Sequence, residues 1–197
     1  IKRLLQWSRQ CDINLIIDES FLDFADAENL SLLSEQVLKE NKNLYVVKSI
    51  SKSYGVPGIR LGILASGNTD MIGRLKKDVS IWNINSMAEF FMQILDKYKS
   101  DYTDSLRKIK EERSRFLNEL CAIKNLKVYP SQANYFMCEI LDGISSEELA
   151  GRLLKENILI KDLTGKIHNG KQYIRIAIRG EEENRILVEK LRLCMKQ

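Results

Sequence analysis

Ser49-Ile-Ser-Lys-Ser-Tyr-Gly-Val-Pro-Gly-Ile-Arg-Leu-Gly62 is the stretch on which the reading of this chain turns. A short β-branched run, Tyr45 to Ile50, leads into it, and a second apolar run, Ile59 to Ala65, leads out. Between them lie Gly55, Gly58 and Pro57, one of only two prolines in the chain. Apolar runs broken by Gly and Pro predict strand, loop, strand. Lys52 follows the first strand and Arg60 opens the second, so antiparallel pairing would bring both cations to one end of a sheet. Ser49 and Ser51 flank the lysine. Hydroxyls, a guanidinium and an amine on a glycine-bearing turn suit a phosphate group and leave one amine for covalent chemistry.

The pattern S-x-S-K-x-Y-x-x-P-G-x-R-x-G resembles the lysine signature of class I/II aminotransferases, the fold-type-I enzymes that use pyridoxal 5'-phosphate (PLP). The resemblance implies that Lys52 is the catalytic lysine joined to the cofactor aldehyde. Ser49, Ser51 and Arg60 would hold the cofactor phosphate. Such a lysine must be nucleophilic near neutral pH, which neighbouring positive charge favours. A bare lysine and arginine at this spacing would read as a solvated hairpin; the surrounding Ser, Tyr, Pro-Gly and Gly argue against that.

Working outward toward the N-terminus, residues 1–10 read as the end of an amphipathic helix. Asn14–Asp18 reads as a short strand buried on both faces, residues 28–41 as a helix, and Leu44–Ile50 as the next strand. A strand–helix–strand crossover of this length makes the two strands parallel neighbours. Asp18 and Lys52 then stand at the carboxyl ends of adjacent strands, where open α/β sheets bind ligands. Within the resemblance, Asp18 in Asp18-Glu-Ser-Phe21 faces the pyridine nitrogen and keeps it protonated. Phe21 occupies a cofactor-binding position where many relatives carry tyrosine, and it lacks the hydroxyl that would meet the cofactor's phenolic oxygen. Glu19 is expected to be a fold contact.

Toward the C-terminus, Asn68–Val79 predicts a helix capped by Asn68 or Thr69. The segment Trp82–Ala88 resembles a loop lining the active site in the histidinol-phosphate aminotransferase and threonine-phosphate decarboxylase branch, with Asn85 as the substrate contact. An N-cap at Ser86 preceded by a packing tryptophan reads equally well. Residues 86–99 form an amphipathic helix, and Tyr102–Ile123 a long charged one whose ion pairs lie on a solvated face.

Beyond residue 124 the pattern becomes strands at 126–130 and 134–140, a helix from Ser145/Ser146 to Asn157, and a short strand at 158–161. A loop at 164–171, a strand at 173–179 and a helix at 181–195 follow, an α+β order. In Tyr173-Ile-Arg-Ile-Ala-Ile-Arg179, alternation sets Arg175 and Arg179 on the face opposite the isoleucines. Two guanidiniums on an otherwise apolar strand call for an anion, or for the nearby Glu181–Glu183 cluster. The resemblance makes Arg175 the anchor of the substrate's acidic group. Lys161 stands where relatives often carry another anion-binding arginine, and Asn134 is a further substrate contact. His168 lies in a Gly- and Lys-bearing loop and is assigned no chemistry.

Composition bounds the rest. The chain has 197 residues, 44% apolar and 29% charged, with a net charge of +4 that is too dispersed to argue for nucleic acid. No apolar stretch approaches a membrane span. Four scattered cysteines read as reduced thiols, consistent with a cytoplasmic setting. The chain opens in a helix-like run without an initiator methionine, and the resemblance reaches only the second half of the family's chain. We therefore expect a piece of a longer enzyme.

The expected fold class is α/β, part of the PLP-transferase large-domain sheet followed by a small α+β C-terminal domain. The expected divisions are 1–100 for the large-domain part, 101–123 for a connecting helix and 124–197 for the small domain. The resemblance implies a biosynthetic, homodimeric aminotransferase using PLP, with a small-molecule amino donor and a 2-oxo acid as partners. The donor is an acidic, phosphorylated or phosphonylated amino compound, since the anchors are basic. Two alternatives stand beside it: a threonine-phosphate-type decarboxylase, and a non-catalytic binding or dimerisation module.

Overall fold

The strands around the glycine-bearing loop do share one sheet. β1 (Leu15–Asp18) pairs parallel with β2 (Leu44–Ser49), and β2 pairs antiparallel with β3 (Gly62–Ser66). The order β1-β2-β3 puts Asp18 beside Val47 and Ser49 beside Gly62, so the end of β1, the end of β2 and the start of β3 meet. The computed structural model describes residues 1–195. The chain divides into two units, Ile1–Asp104 and Ser105–Gln197.

In the first unit, α1 (Lys2–Gln10) turns Leu5 toward Leu32, Leu44 and Val46, with Leu15 and Ile17 packed alongside. The other face buries Tyr45 of β2 but leaves β1 open. Ile16 points the other way and is 68% exposed, so β1 is not the doubly buried strand its apolar run suggests. The cause is position: β1 is an edge strand, and the helix of this unit that packs under it does so on the Leu15/Ile17 side.

The helix expected over 28–41 is also shorter, reduced to α2 (Glu35–Glu40). Buried Glu19 accounts for this. Its carboxylate accepts the Ser31 hydroxyl at 2.7 Å and the Leu32 amide at 2.6 Å, which anchors the segment just before the helix. Helix begins only after Ser34, whose hydroxyl accepts the Val37 N–H. Gly67, at the end of β3, lies so close to α2 that a Cβ there would come within 2.0 Å of the Leu38 carbonyl oxygen.

The loop between β2 and β3 holds one helical turn, α3 (Ile50–Ser53), and a 3-10 turn at Pro57–Ile59. Gly55 links them with φ +66, a left-handed conformation in which a side chain is strained. After β3, Asn68 caps α4 (Thr69–Asp78), and Asn85 rather than Ser86 caps α5 (Ser86–Ile94). Trp82 is 88% exposed and makes no packing contact of the expected kind. A 3-10 turn at Leu95–Tyr98 leads into α6 (Lys99–Cys121), and the boundary between the units falls inside this helix.

The second unit is a four-stranded antiparallel sheet in the order β4-β5-β7-β6. Its strands are β4 (Leu126–Tyr129), β5 (Tyr135–Ile140), β6 (Lys161–Asp162) and β7 (Gln172–Ala177). Helices α6, α7 (Ser146–Lys155) and α8 (Glu181–Cys194) bury Phe116, Leu120, Leu149, Leu153 and Leu191 against Phe136, Ile174 and Ile176. Each such side chain contributes roughly 1.5–3 kcal/mol. The strand expected at 158–161 begins only at Lys161. Asn157 ends α7 with φ +60, and the Ile158 amide still bonds back to Leu153, so the chain reaches β7 three residues later.

Candidate active site

An open cleft of about 560 Å³ lies at the carboxyl ends of β1 and β2. Asp18, Ser49, Ser51, Lys52 and Arg60, five residues singled out from the sequence, all line it. The reason is local. The parallel β1–β2 register sets Asp18 beside the end of β2, and the turn of α3 projects Lys52 immediately beyond it. The antiparallel β3 returns Arg60 to the same end. Lys52 is exposed, and its Nζ sits 5.1 Å from the centre of the Phe21 ring, a cation–π distance. Phe21 thus borders the Lys52 amine.

Arg60 adopts φ 53 and ψ 44, left-handed for a residue with a bulky side chain. Such backbone costs about 1–3 kcal/mol and collects at ligand-binding positions. Here it turns the chain from the 3-10 segment into β3, while the Arg60 guanidinium donates to the Pro57 carbonyl at 3.3 Å.

Asp18 stays ionised below the ordinary carboxylate range. The Ser20 side chain contributes most to this, then the Ser20 backbone N–H at 2.8 Å, with Lys52 adding charge attraction. Ser20, which the sequence reading missed, is buried, and its hydroxyl oxygen also accepts the Ser49 N–H at 2.9 Å. Nothing in the sequence separates it from an ordinary turn serine; its role exists only once β1 and β2 lie side by side.

A second unforeseen network supports the loop from beneath. Lys48 donates to Asp23 Oδ1 at 2.6 Å, and the Tyr102 hydroxyl donates to Asp23 Oδ2 at 2.8 Å. The Tyr102 ring stacks on Tyr54, two residues past Lys52, with centroids 3.9 Å apart. Burial pushes the Asp23 pKa up, but its polar neighbours together, Lys48 foremost, outweigh it and the net shift is downward. Burial and the Asp23 charge both push the Tyr102 hydroxyl up, so it remains a donor. Ser53 lies beside this network with its hydroxyl meeting no partner in hydrogen-bonding geometry.

Asn85 does not line the cleft. Its Oδ1 accepts the Ala88 N–H as a helix cap, and its Nδ2 donates to the Ile59 carbonyl at 2.8 Å, which steadies the residue before Arg60. In the second unit, Arg175 projects from the open face of β7, its guanidinium 5.1 Å from the Tyr135 ring centre. Lys161 is its direct cross-strand neighbour. Asn134 accepts the Ile178 N–H through its backbone carbonyl. Arg179 lies past the end of β7 and pairs with Glu183 at 2.8 Å, so the glutamate cluster supplies its anion. Glu19 is a buried fold contact and His168 is exposed. Among the described residues, no group of His, Cys, Asp and Glu is arranged to hold a metal, and no helix is long and apolar enough to cross a membrane.

The donor set of the cleft has a definite polarity. Two hydroxyls and a guanidinium suit a phosphate, an exposed amine suits an aldehyde, and an ionised carboxylate suits a protonated ring nitrogen.

Comparison with known proteins points the same way. The family described as aminotransferase class I and II matches residues 1–191. CMP-5'-(3-aminopropyl)phosphonate synthase of Streptomyces rubellomurinus is 37% identical over 179 residues, which cover 90% of this chain and 28% of that protein. L-serine phosphate decarboxylase of Campylobacter jejuni is 36% identical over 185 residues, covering 90% and 47%. The crystal structure of histidinol-phosphate aminotransferase from Clostridium acetobutylicum aligns with a TM-score of 0.89 at 30% identity, over 98% of this chain and 57% of that one. The chain therefore spans half or less of the length of these curated relatives.

Proposed function

The chain belongs to the class I and II aminotransferase family and shares its fold, and on that premise we propose that the whole protein is a PLP-dependent enzyme acting at Cα of an acidic amino compound that carries a phosphate or phosphonate. One observation carries this reading: the amine, hydroxyls, guanidinium and carboxylate that PLP requires converge on a single cleft. Ser49, Ser51 and Arg60 would hold the phosphate, Lys52 the aldehyde carbon and Asp18 the ring nitrogen. When bound, PLP supplies an electron sink for the pair left behind by a bond broken at Cα. Lys52 Nζ, free once substrate has displaced it, takes the Cα proton as base and returns one as acid. Arg175, aided by Lys161, binds the substrate's acidic group, with Asn134 as a further contact.

Amino-group transfer to a 2-oxo acid is the first reading of the reaction. Decarboxylation is the second, and the 36% identity to a serine phosphate decarboxylase favours it specifically. The same residues serve both, and the outcome depends on which Cα bond the bound substrate aligns for breaking.

Borohydride reduction of the full-length protein with PLP, followed by peptide mass spectrometry, tests the site: modification should concentrate at Lys52. Spread over many lysines, it would overturn the reading. Incubating the enzyme with phosphorylated amino acids then separates the reactions, by carbon dioxide release or by formation of a 2-oxo acid.

A further inference from the structure

Arg60, the cation assigned to the cofactor phosphate, has a left-handed backbone with φ 53 and ψ 44. A Cβ makes that conformation costly, so contacts around it must hold it in place. The local ones are long. The Ile59 N–H meets the Val56 carbonyl at 3.3 Å, the Arg60 guanidinium meets the Pro57 carbonyl at 3.3 Å, and the Ile50 N–H meets the Leu61 carbonyl at 3.1 Å. A shorter contact comes from 26 positions along the chain: Asn85 Nδ2 donates to the Ile59 carbonyl at 2.8 Å. That carbonyl belongs to the planar peptide joining Ile59 to Arg60. Rotating the plane changes the Arg60 φ, so pinning its oxygen pins the left-handed turn.

Asn85 is itself held by the other end of its amide. Its Oδ1 accepts the Ala88 N–H at 2.9 Å, and Ala88 is buried, so the side chain bridges the first turn of α5 and the loop before Arg60. We propose that Asn85 is a positioning residue: through the Ile59 carbonyl it holds Arg60 in the left-handed turn that keeps the guanidinium at the phosphate end of the cleft, and so sets the preference for a phosphorylated cofactor. The proposal rests on the reading of this cleft as a PLP site. Asn85 does not line the cleft, so its influence on the cofactor passes through Arg60. Lys52 and Asp18, which would meet the aldehyde and the ring nitrogen, stand on α3 and β1 and are independent of it. The bond to Ile59 is exposed, so its loss should cost little in unfolding and should register in cofactor preference instead.

The test compares binding of PLP and of pyridoxal, the same aldehyde without its phosphate, to the full-length protein freed of cofactor. Asn85→Ser keeps an oxygen that caps α5 but is too short to reach Ile59. It should weaken PLP binding about three- to tenfold, as expected for one hydrogen bond, and leave pyridoxal binding and the urea midpoint unchanged. Asn68→Ser makes the same exchange at the cap of α4, where the lost donor served the Tyr45 hydroxyl, and should alter neither affinity. In an Arg60→Ala background, Asn85→Ser should weaken PLP binding no further. In unmutated protein the Asn85 side-chain amide signals should shift in NMR on binding PLP and not on binding pyridoxal, a readout that needs no variant. Equal weakening of both ligands by Asn85→Ser, no weakening, an undiminished effect in Arg60→Ala, or an Asn85 amide indifferent to PLP overturns the proposal while PLP still attaches at Lys52. Failure of PLP to attach there in unmutated protein would overturn the reading of the cleft, and the proposal with it.

Discussion

The two units bury their apolar residues in opposite ways. In the second, one continuous core joins three helices to the sheet, and Phe116, Phe136, Leu149, Ile174 and Leu191 are fully enclosed. In the first, the enclosed cluster is small, and Ile16, Ile63, Leu64, Ile81, Trp82 and Phe90 are largely exposed. Yet it is the first unit that holds the lysine cleft. There polar links add to a small apolar core: Asp18 to Ser20 to Ser49 across the strands, and Lys48 to Asp23 to Tyr102 beneath the loop. Directional contacts of this kind specify position, whereas apolar burial mainly supplies stability.

That contrast predicts separable losses of function and of stability. The largest effect belongs to the cleft. Lys52→Ala in the full-length protein should lower turnover of its amino substrate by a factor on the order of 10³ or more, with little change in unfolding, because Lys52 is exposed and packs into no core. Equal turnover in mutant and unmutated protein would sink the assignment.

Next comes the core of the second unit. Phe136→Ala should cost about 3–5 kcal/mol in denaturant unfolding, as removal of a fully enclosed aromatic does. Ile16→Ala in the first unit, at 68% exposure, should cost no more than about 0.5 kcal/mol. Similar losses at the two positions would break the comparison.

A smaller, pH-dependent effect tests the polar support. The folded Asp23 pKa lies below its ordinary value, so the unfolded chain takes up the proton first as pH falls. The Lys48–Asp23–Tyr102 link therefore contributes fully above the ordinary carboxylate range and is lost on acidification through the lowered folded pKa. Urea midpoints measured from neutral pH downward should fall less steeply in Asp23→Asn than in unmutated protein. Parallel curves would show that Asp23 does not couple to folding.

Much of this arrangement was legible before any coordinates. The β1–β2–β3 order, the convergence of Lys52 with Arg60, the helix starts near Asn68 and Ser145, and the face of Arg175 opposite the isoleucines all follow from periodicity and from residues close in sequence. Two of the misreadings share one cause. The helix over 28–41 was shortened by Glu19, a residue well outside it, and the buried appearance of Asn14–Asp18 ignored which side of an edge strand its neighbours would cover.

By itself, the sequence determined which side chains come together in the cleft, because a lysine, its serines and its arginine lie within one short stretch between two paired strands. The tertiary structure alone decided what holds them in place. Ser20 meets Ser49 across 29 positions, and Asp23 meets Tyr102 across 79, and these partnerships arise only when strands and helix come together. A hydrogen bond acts over about 3 Å in space and is indifferent to distance along the chain, so no local pattern can announce it.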